Sequence, residues 1–265
     1  MSISKMLPLT LGALGFTLAG LTSCATMFGA PLSQDGTSIG GRGSTSAVHP
    51  IAFTGPPVSW NKTGALAYQP PLGAVAFPSQ TLSPVQQRLL EGARFVEGKS
   101  SLSVRGKSFT YDCSGTILAI YYYAGINLAA QFNRYTGGGV TRIYKIMSAN
   151  NLLYTSYYPQ PGDIIFWDNT YDENGDGLWD DPLTHAGMVV GVSSNGEISY
   201  IHQNYAQGIV VEKMNLLYPN IYTRIIDGLT VTVNSPMRMK GSPPGAGWLS
   251  GQLFRALGKG YLLSG

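Results

Sequence analysis

The chain has 265 residues, of which 44% are hydrophobic and 12% are charged, about half the charged share of an average soluble domain. Its 34 glycines and 16 prolines do not reach a low-complexity composition, and its 16 tyrosines supply bulk for a packed core, which excludes wholesale disorder. The net charge of +3 comes without any run of Lys or Arg, so nucleic-acid binding has no compositional support. We expect one packed domain with extensions.

The amino end has the pattern of a targeting segment. Lys5 is the only charged residue before position 35, and it precedes an apolar run from Met6 to Leu21. That run is too short for a confident membrane span and is typical of a secretory signal. The sequence predicts a signal peptide over residues 1–23.

The signal ends in Leu21-Thr22-Ser23-Cys24, which resembles the bacterial lipoprotein box. Cleavage before a lipidated Cys24 would anchor the chain in a membrane through acyl chains. Ala25 follows the cysteine and is similar to the outer-membrane sorting pattern of Gram-negative lipoproteins. We therefore expect a lipid-anchored protein of the bacterial cell envelope, on the periplasmic side of the outer membrane if the host is Gram-negative. A soluble secreted protein with an incidental cysteine is the alternative.

A flexible tether is predicted over residues 24–82, because this segment is rich in Gly, Ser, Thr and Pro and has no sustained period. It includes His49, one of only three histidines. Ser83 as N-cap and Pro84 at the first helical position predict a helix through about Val96. The packed domain is placed at 83–227 and a C-terminal extension at 228–265, whose apolar residues approximate a helical stripe packed on the domain. The stripe comprises Leu249, Leu253, Ala256 and Leu257.

The segment around Cys113 predicts a nucleophile at a helix start. Apolar residues recur at helical spacing after Cys113, with Asp112 as a plausible N-cap and Gly125 as a plausible stop. A cysteine in the first turn lies at the positive end of the helix dipole near unpaired backbone amides, and both favour the thiolate. The alternative is a buried structural thiol.

Downstream, the pattern predicts strands at 163–167, 185–192 and 198–204, with further strands at 209–212 and 221–226. Asn195-Gly196 predicts a hairpin between the second and third strands. A loop of two or four residues places His185, His202 and Asn204 on one face of the sheet, whereas an odd-length loop would break this argument.

The residues needed for thiol catalysis are therefore present. A cysteine attacking an amide needs an imidazole to take its proton, and the ring needs a polar partner to fix its tautomer. Cys113, His185 and His202 could fill these roles, with Asn204 nearby as a second polar residue. A zinc site built from Cys113, His185 and His202 is the chemical alternative, although no paired-ligand motif is present.

Three blocks of sequence carry a family resemblance. They are Asp112-Cys113-Ser114-Gly115 with its helix ending Tyr123-Ala124-Gly125-Ile126-Asn127-Leu128, then Pro161-Gly162-Asp163-Ile164-Ile165-Phe166, then His185-Ala186-Gly187-Met188-Val189-Val190. In this order they resemble the NlpC family of papain-fold cell-wall peptidases and the related CHAP amidases, over about residues 85–226. The resemblance implies an α+β papain-like domain in which N-terminal helices pack on an antiparallel sheet.

By resemblance, Cys113 is the nucleophile, His185 the general base and His202 the third polar residue. Asn204 matches an Asn of many CHAP domains, and Asp112 and Ser114 are the expected substrate-binding residues. The implied activity is hydrolysis of an amide in peptidoglycan stem peptides, by an endopeptidase or an N-acetylmuramoyl-L-alanine amidase, with no cofactor required for catalysis.

The expected partners are peptidoglycan and, through the lipid, the membrane; no nucleic acid is expected, and we expect a monomer. Two alternatives remain open. One is a catalytically silent wall-binding or scaffolding lipoprotein, and the other is an acyl transferase on the same scaffold.

The chain departs from the family pattern in two places. The run Phe95–Phe109 lacks the usual Tyr and glycine pair. An insertion at 168–182 has the spacing of an EF-hand-like calcium loop, with Leu183 in place of the bidentate Glu. Either a structural calcium ion or a solvated acidic turn would account for it. The candidate ligands are Asp172, Asn174, Asp176, Leu178 and Asp180.

Overall fold

A computed structural model describes residues 81–238 and 247–263. The predicted signal peptide, Cys24 and the predicted tether up to residue 80 lie outside the described residues. No helix in the described ranges is long and apolar enough to cross a membrane.

The described elements are three α-helices, two short 3-10 helices and ten strands. The helices are α1 (Pro84–Val96), α2 (Cys113–Tyr123) and α3 (Gly139–Ala149), with 3-10 turns at Leu128–Arg134 and Gly260–Leu263. The strands are β1 (Leu102–Val104), β2 (Lys107–Phe109), β3 (Leu153–Tyr154), β4 (Ile164–Trp167), β5 (His185–Val192), β6 (Ile198–Asn204), β7 (Gly208–Met214), β8 (Thr223–Ile226), β9 (Leu229–Thr232) and β10 (Phe254–Gly258).

The chain combines helices with an antiparallel sheet, as the sequence predicted for an α+β fold. The main sheet has six strands in the order β3-β10-β4-β5-β6-β7, and every pairing in it is antiparallel. The pairs β1–β2 and β8–β9 form two separate two-stranded sheets.

Both faces of the main sheet are covered by apolar side chains. On one face, Ile164 and Phe166 of β4 join the core shared with the helices. On the other face, Ile165 and Trp167 join a second core with residues of β6, β7 and β10. This alternation along β4 reflects the period of two in a strand, and it explains why a four-residue strand is buried throughout.

The starts of α1 and α2 follow from local side-chain chemistry. Ser83 and Gln86 form a reciprocal capping box, in which Ser83 Oγ accepts from Gln86 N at 3.3 Å and Gln86 Oε1 accepts from Ser83 N at 3.0 Å. Asp112 caps α2 by accepting from the Gly115 N–H at 2.7 Å. These observations confirm the predicted N-caps and the start of α2 at Cys113.

The apolar residues that recur at helical spacing after Cys113 predict an amphipathic helix, and this prediction is wrong for α2. The helix is buried around most of its circumference, because it contacts α1, the β1–β2 pair and strands β5 and β6. A helix enclosed on several sides has no broad solvent face to keep polar.

The predicted helical stripe near the C-terminus is also wrong. Ala256 and Leu257 belong to strand β10, which pairs with β3 on one side and β4 on the other. Leu253 and Leu257 pack in the second core, on the sheet face away from the helices. Sheet pairing overrides a short apolar spacing that fits either structure, and the boundary predicted at residue 227 therefore cuts off a strand of the main sheet.

In the β5–β6 hairpin, His185, His202 and Asn204 share one sheet face as predicted, but the loop length differs from the prediction. Val192 pairs with Ile198, and Ser193 N donates to Glu197 O at 2.9 Å, so the loop has three residues rather than two or four. With a regular ladder, a loop of odd length would place His185 and His202 on opposite faces of the sheet. A bulge between Val189 and Gly191 shifts the register by one residue and restores the phase toward His185.

Gly115 offers a test of how tightly the start of α2 is held. A Cβ at this position would lie 2.0 Å from the backbone oxygen of Thr110, which cannot rotate away. We expect Gly115→Ala to lower the free energy of unfolding by roughly 1–3 kcal/mol, the usual cost of overpacking, measured by thermal or urea unfolding. Gly138→Ala is the matched control, because a Cβ there meets nothing within 4 Å. An unchanged unfolding midpoint for Gly115→Ala would contradict this packing.

Candidate active site

Cys113 is the first residue of α2 and is a free, half-buried thiol. Its position depends on Asp112, whose Oδ1 accepts from the Gly115 N–H at 2.7 Å and from Ser114 Oγ at 2.8 Å. The N-cap therefore holds both residues that follow the cysteine.

Asp112 and Ser114, the expected substrate-binding residues, are engaged in holding the helix start. Ser114 is buried and lies against the start of α3, where a Cβ on Gly139 would come within 2.1 Å of its Oγ. Substrate binding by these two residues stays a prediction.

The start of β5 lies beside the thiol. The backbone N–H of Ala186 lies close enough to the Cys113 thiol to lower its pKa, which places the preceding residue, His185, at the same end of α2. Trp167 pairs with His185 across β4 and β5, and the two rings lie 5.7 Å apart. The imidazole thus has one apolar wall supplied by the neighbouring strand.

His185 and His202 are in direct contact. Nε2 of His185 lies 2.8 Å from Nδ1 of His202, and the rings meet nearly edge to face, with centroids 5.1 Å apart. His202 is only 2% exposed. The structure therefore brings the predicted base and its predicted orienting residue together.

The same contact bears on the zinc alternative. The two facing ring nitrogens of His185 and His202 are occupied by each other, so they do not converge on a common ion. Within residues 81–238 and 247–263, no group of three or more His, Cys, Asp or Glu side chains is arranged to hold a metal.

Asn204 contacts Glu212 and the turn after β6 through its side chain, and none of its described hydrogen bonds is to a histidine. Its Oδ1 accepts from the Ala206 and Gln207 N–H groups, at 2.9 and 3.2 Å, and its Nδ2 donates to Glu212 Oε1 at 3.0 Å. Its amide is thereby committed to the turn after β6 and to Glu212, so an influence of Asn204 on the base would pass through Glu212.

Glu212 is a site residue that the sequence analysis missed. Its Oε2 lies 3.2 Å from Nε2 of His202, and it pairs with Tyr200 across β6 and β7. Part of the signal was available, because Glu212 is a charged residue in a predicted strand. Its alignment two positions from Val210, the strand partner of His202, is seen only in the structure. Even spacing places side chains on the same face of a sheet.

Tyr171 is a second residue that the sequence analysis missed. The insertion that carries it is closed by a hydrogen bond between the Thr170 and Thr184 hydroxyls at 2.9 Å, immediately before His185. Burial raises the pKa of Tyr171, with further contributions from the nearby charges of Glu173 and Cys113. The loop therefore brings a phenol within electrostatic range of the thiol.

The acidic part of the insertion folds into consecutive side-chain-capped turns. Asp172 accepts from the Gly175 and Gly177 N–H groups at 2.7 and 2.8 Å, and Asp176 accepts from the Leu178 N–H at 2.8 Å. These carboxylates thus have backbone donors of their own. Calcium binding by the five predicted ligands, Asp172, Asn174, Asp176, Leu178 and Asp180, stays a prediction.

Burial dominates the electrostatics of Cys113 and His185. It raises the pKa of the Cys113 thiol to about 11, assisted by the Asp112 carboxylate and opposed by the N–H groups of Ala186, Ser114 and Cys113 itself. The pKa of His185 lies well below its usual value, through burial and then the neighbouring His202. The N–H groups at the helix start lower the pKa of the thiol, as expected, but by less than burial raises it. The expected preference for the thiolate is therefore wrong for the resting protein. At neutral pH the resting pair is a neutral thiol and a neutral imidazole.

Comparison with known proteins adds little to this geometry. No protein-family model matches the chain, and no curated protein matches it. Among solved structures it is similar to an NlpC/P60 family protein from Bacillus cereus ATCC 10987, at 23% sequence identity and a TM-score of 0.31. The similarity covers 52% of this chain and 37% of that protein.

A neutral resting pair predicts a distinctive alkylation profile. We expect the reaction of Cys113 with iodoacetamide to accelerate with pH up to about 11, because the thiolate is the reactive form. Mass spectrometry of the Cys113 peptide separates this reaction from any at Cys24. Asp112→Asn, which keeps an N-capping side chain but removes the negative charge, should shift the profile to lower pH. A rate that levels off near neutral pH would indicate a thiolate–imidazolium pair and contradict the expectation.

Proposed function

We propose that this protein hydrolyses an amide bond of peptidoglycan stem peptides by a thiol mechanism. One observation carries the proposal. Cys113, at the start of α2, lies beside the start of β5, and His185 at that start is hydrogen-bonded to His202 at 2.8 Å. A helix-borne cysteine next to a strand-borne histidine with a polar partner is the arrangement expected of a papain-like hydrolase.

The chemistry follows from which ring nitrogen is free. Nε2 of His185 is bound to His202, so Nδ1 is the nitrogen available to the thiol. The sulfur bonds to the amide carbon as its proton passes to Nδ1, and the imidazolium then gives that proton to the leaving amine. Water attacks the resulting thioester, with His185 again taking the proton, and releases the carboxylate product and the thiol.

The substrate class is supported by the three sequence blocks that resemble the NlpC and CHAP families. Those blocks contain the cysteine, the Pro-Gly-Asp turn and the histidine in the order found in cell-wall hydrolases. Both an endopeptidase and an N-acetylmuramoyl-L-alanine amidase would use the same two residues, and neither requires a cofactor.

The proposed location is the bacterial cell envelope, through a lipid on Cys24. The apolar segment and the Leu-Thr-Ser-Cys sequence at residues 21–24 support it. A tether of some sixty residues, from 24 to 82, would let the domain reach the wall polymer from the membrane surface.

The hydrolase proposal is tested by incubating the detergent-solubilised full chain with peptidoglycan and identifying the released fragments by mass spectrometry. We expect Cys113→Ala and His185→Ala each to reduce turnover by orders of magnitude, with losses that do not add in the double variant because the residues act as a unit. His49→Ala, which removes the histidine of the predicted tether, is the matched control and should keep full activity. Hydrolysis by a folded Cys113→Ala variant would contradict the mechanism, and products joined to an added amine would indicate acyl transfer.

The anchor is tested by detergent phase partitioning of the protein expressed in a bacterium. We expect Cys24→Ala to move the protein from the detergent phase to the aqueous phase, because one residue would carry every acyl chain. Cys113→Ala is the matched control and should stay in the detergent phase. Unchanged partitioning of Cys24→Ala would rule out lipid attachment at this residue.

A further inference from the structure

The carboxylate of Glu212 is surrounded by hydrogen-bond donors. Oε1 accepts from Asn204 Nδ2 at 3.0 Å, while Oε2 lies 3.2 Å from both the Tyr200 hydroxyl and Nε2 of His202. The contact with His202 does not meet the geometry of a hydrogen bond, and no other described group provides this buried nitrogen with a partner. Glu212 is therefore the one described acceptor placed to meet Nε2 of His202.

The donor roles around Glu212 are fixed by other contacts. Asn204 Oδ1 is occupied by two backbone N–H groups, so only its NH₂ can face Glu212. Tyr200 is also 3.4 Å from the sulfur of Met237, a much weaker acceptor than a carboxylate. An ionised carboxylate accepts hydrogen bonds and cannot donate one, which suits a position where three donors meet.

Burial alone would raise the pKa of Glu212, but its contact with His202 and its hydrogen bonds with Tyr200 and Asn204 bring it below the usual value. The carboxylate is thus ionised at neutral pH. Its partner atom Nε2 of His202 then carries the hydrogen, because a lone pair facing an anion would be repelled.

We propose that Glu212 is a positioning residue that sets the tautomers of both histidines and thereby makes His185 a base toward the thiol. In the tautomer of His202 with hydrogen on Nε2 alone, Nδ1 has a lone pair, and this lone pair accepts the hydrogen on Nε2 of His185. Nδ1 of His185 is then unprotonated and free to take the thiol proton. This inference rests on the proposed function only for its catalytic consequence, since the tautomers exist with or without a substrate.

The carboxylate has a second effect once the proton has moved. When His185 becomes an imidazolium, both Nε2–H groups stay in place, and the negative charge lies at the far end of the chain His185, His202, Glu212. Opposite charges linked through a buried hydrogen-bonded ring stabilise each other more than they would in water. Glu212 should therefore lower the barrier of the proton-transfer step and contribute little to substrate binding.

The first experiment reads the tautomers directly and requires no substrate. The full chain, labelled with ¹⁵N in its histidines, is compared with Glu212→Gln by long-range ¹H–¹⁵N correlation, and signals are assigned from His185→Ala and His202→Ala. We expect hydrogen on Nε2 and none on Nδ1 in both rings of the wild type, and loss of this uniform pattern in Glu212→Gln. Hydrogen on Nδ1 of His185 in the wild type, or an unchanged pattern in the variant, would overturn the proposal.

The second experiment separates positioning from structural support. We expect Glu212→Gln to lower kcat by roughly 10- to 100-fold, by analogy with the hydrogen-bond partners that orient metal-binding histidines, with little change in KM. In a His202→Ala background the same substitution should cause no further loss, because Glu212 acts through His202. An equal additional loss in that background would instead indicate a structural role.

Glu197→Gln is the matched control. This substitution also removes the charge of a carboxylate, but Glu197 pairs with Lys213 and does not contact His202. Thermal unfolding of each variant shows whether the fold is kept, and Glu212→Asp serves if Glu212→Gln does not fold. If the wild type hydrolyses no peptidoglycan, the hydrolase proposal fails while the tautomer measurement still decides the role of Glu212.

Discussion

The hydrogen bond between His185 and His202 is the interaction on which the rest of the site depends. It joins neighbouring strands, so it exists only if β5 and β6 present their even-spaced side chains on the same face, and it determines which nitrogen of His185 faces outward. The start of α2 lies beside the start of β5, where the Ala186 N–H lowers the pKa of the Cys113 thiol. A sheet contact thus orients the His185 ring, and a helix–sheet contact places Cys113 at the same end of β5.

Much of this arrangement could be predicted from local sequence. Ser83 and Asp112 are caps whose chemistry involves near neighbours, and the ends of β5 and β6 follow from alternation and turn residues. Contacts between distant segments could not be predicted in this way. The bulge at Val189–Gly191 compensates for an odd loop, and nothing in a single sequence distinguishes that pair of deviations from a regular hairpin. Glu212 was missed for the same reason, because its role depends on a third strand lying beside the second.

Burial has opposite consequences for the two parts of the site. It raises the pKa of the Cys113 thiol and lowers that of His185, so the resting pair carries no charge. The Glu212 carboxylate accepts hydrogen bonds from Tyr200 and Asn204 and lies 3.2 Å from Nε2 of His202. Negative charge is therefore placed where hydrogen bonds stabilise it, on the side of His202 that faces away from His185.

The position of β10 constrains the order in which the fold can be completed. Phe254–Gly258 (β10) lies between β3 and β4 in the sheet, although it follows both strands by roughly a hundred residues in the sequence. The main sheet therefore cannot form completely until β10 has been added. Until residue 258 is present, the edge of β4 is open, and Trp167, which lies against His185, lacks the apolar neighbours supplied by β10. In a shortened chain that ends before β10, His185 and His202 would therefore lie in an incomplete sheet, and the Trp167 ring beside His185 would be only partly packed.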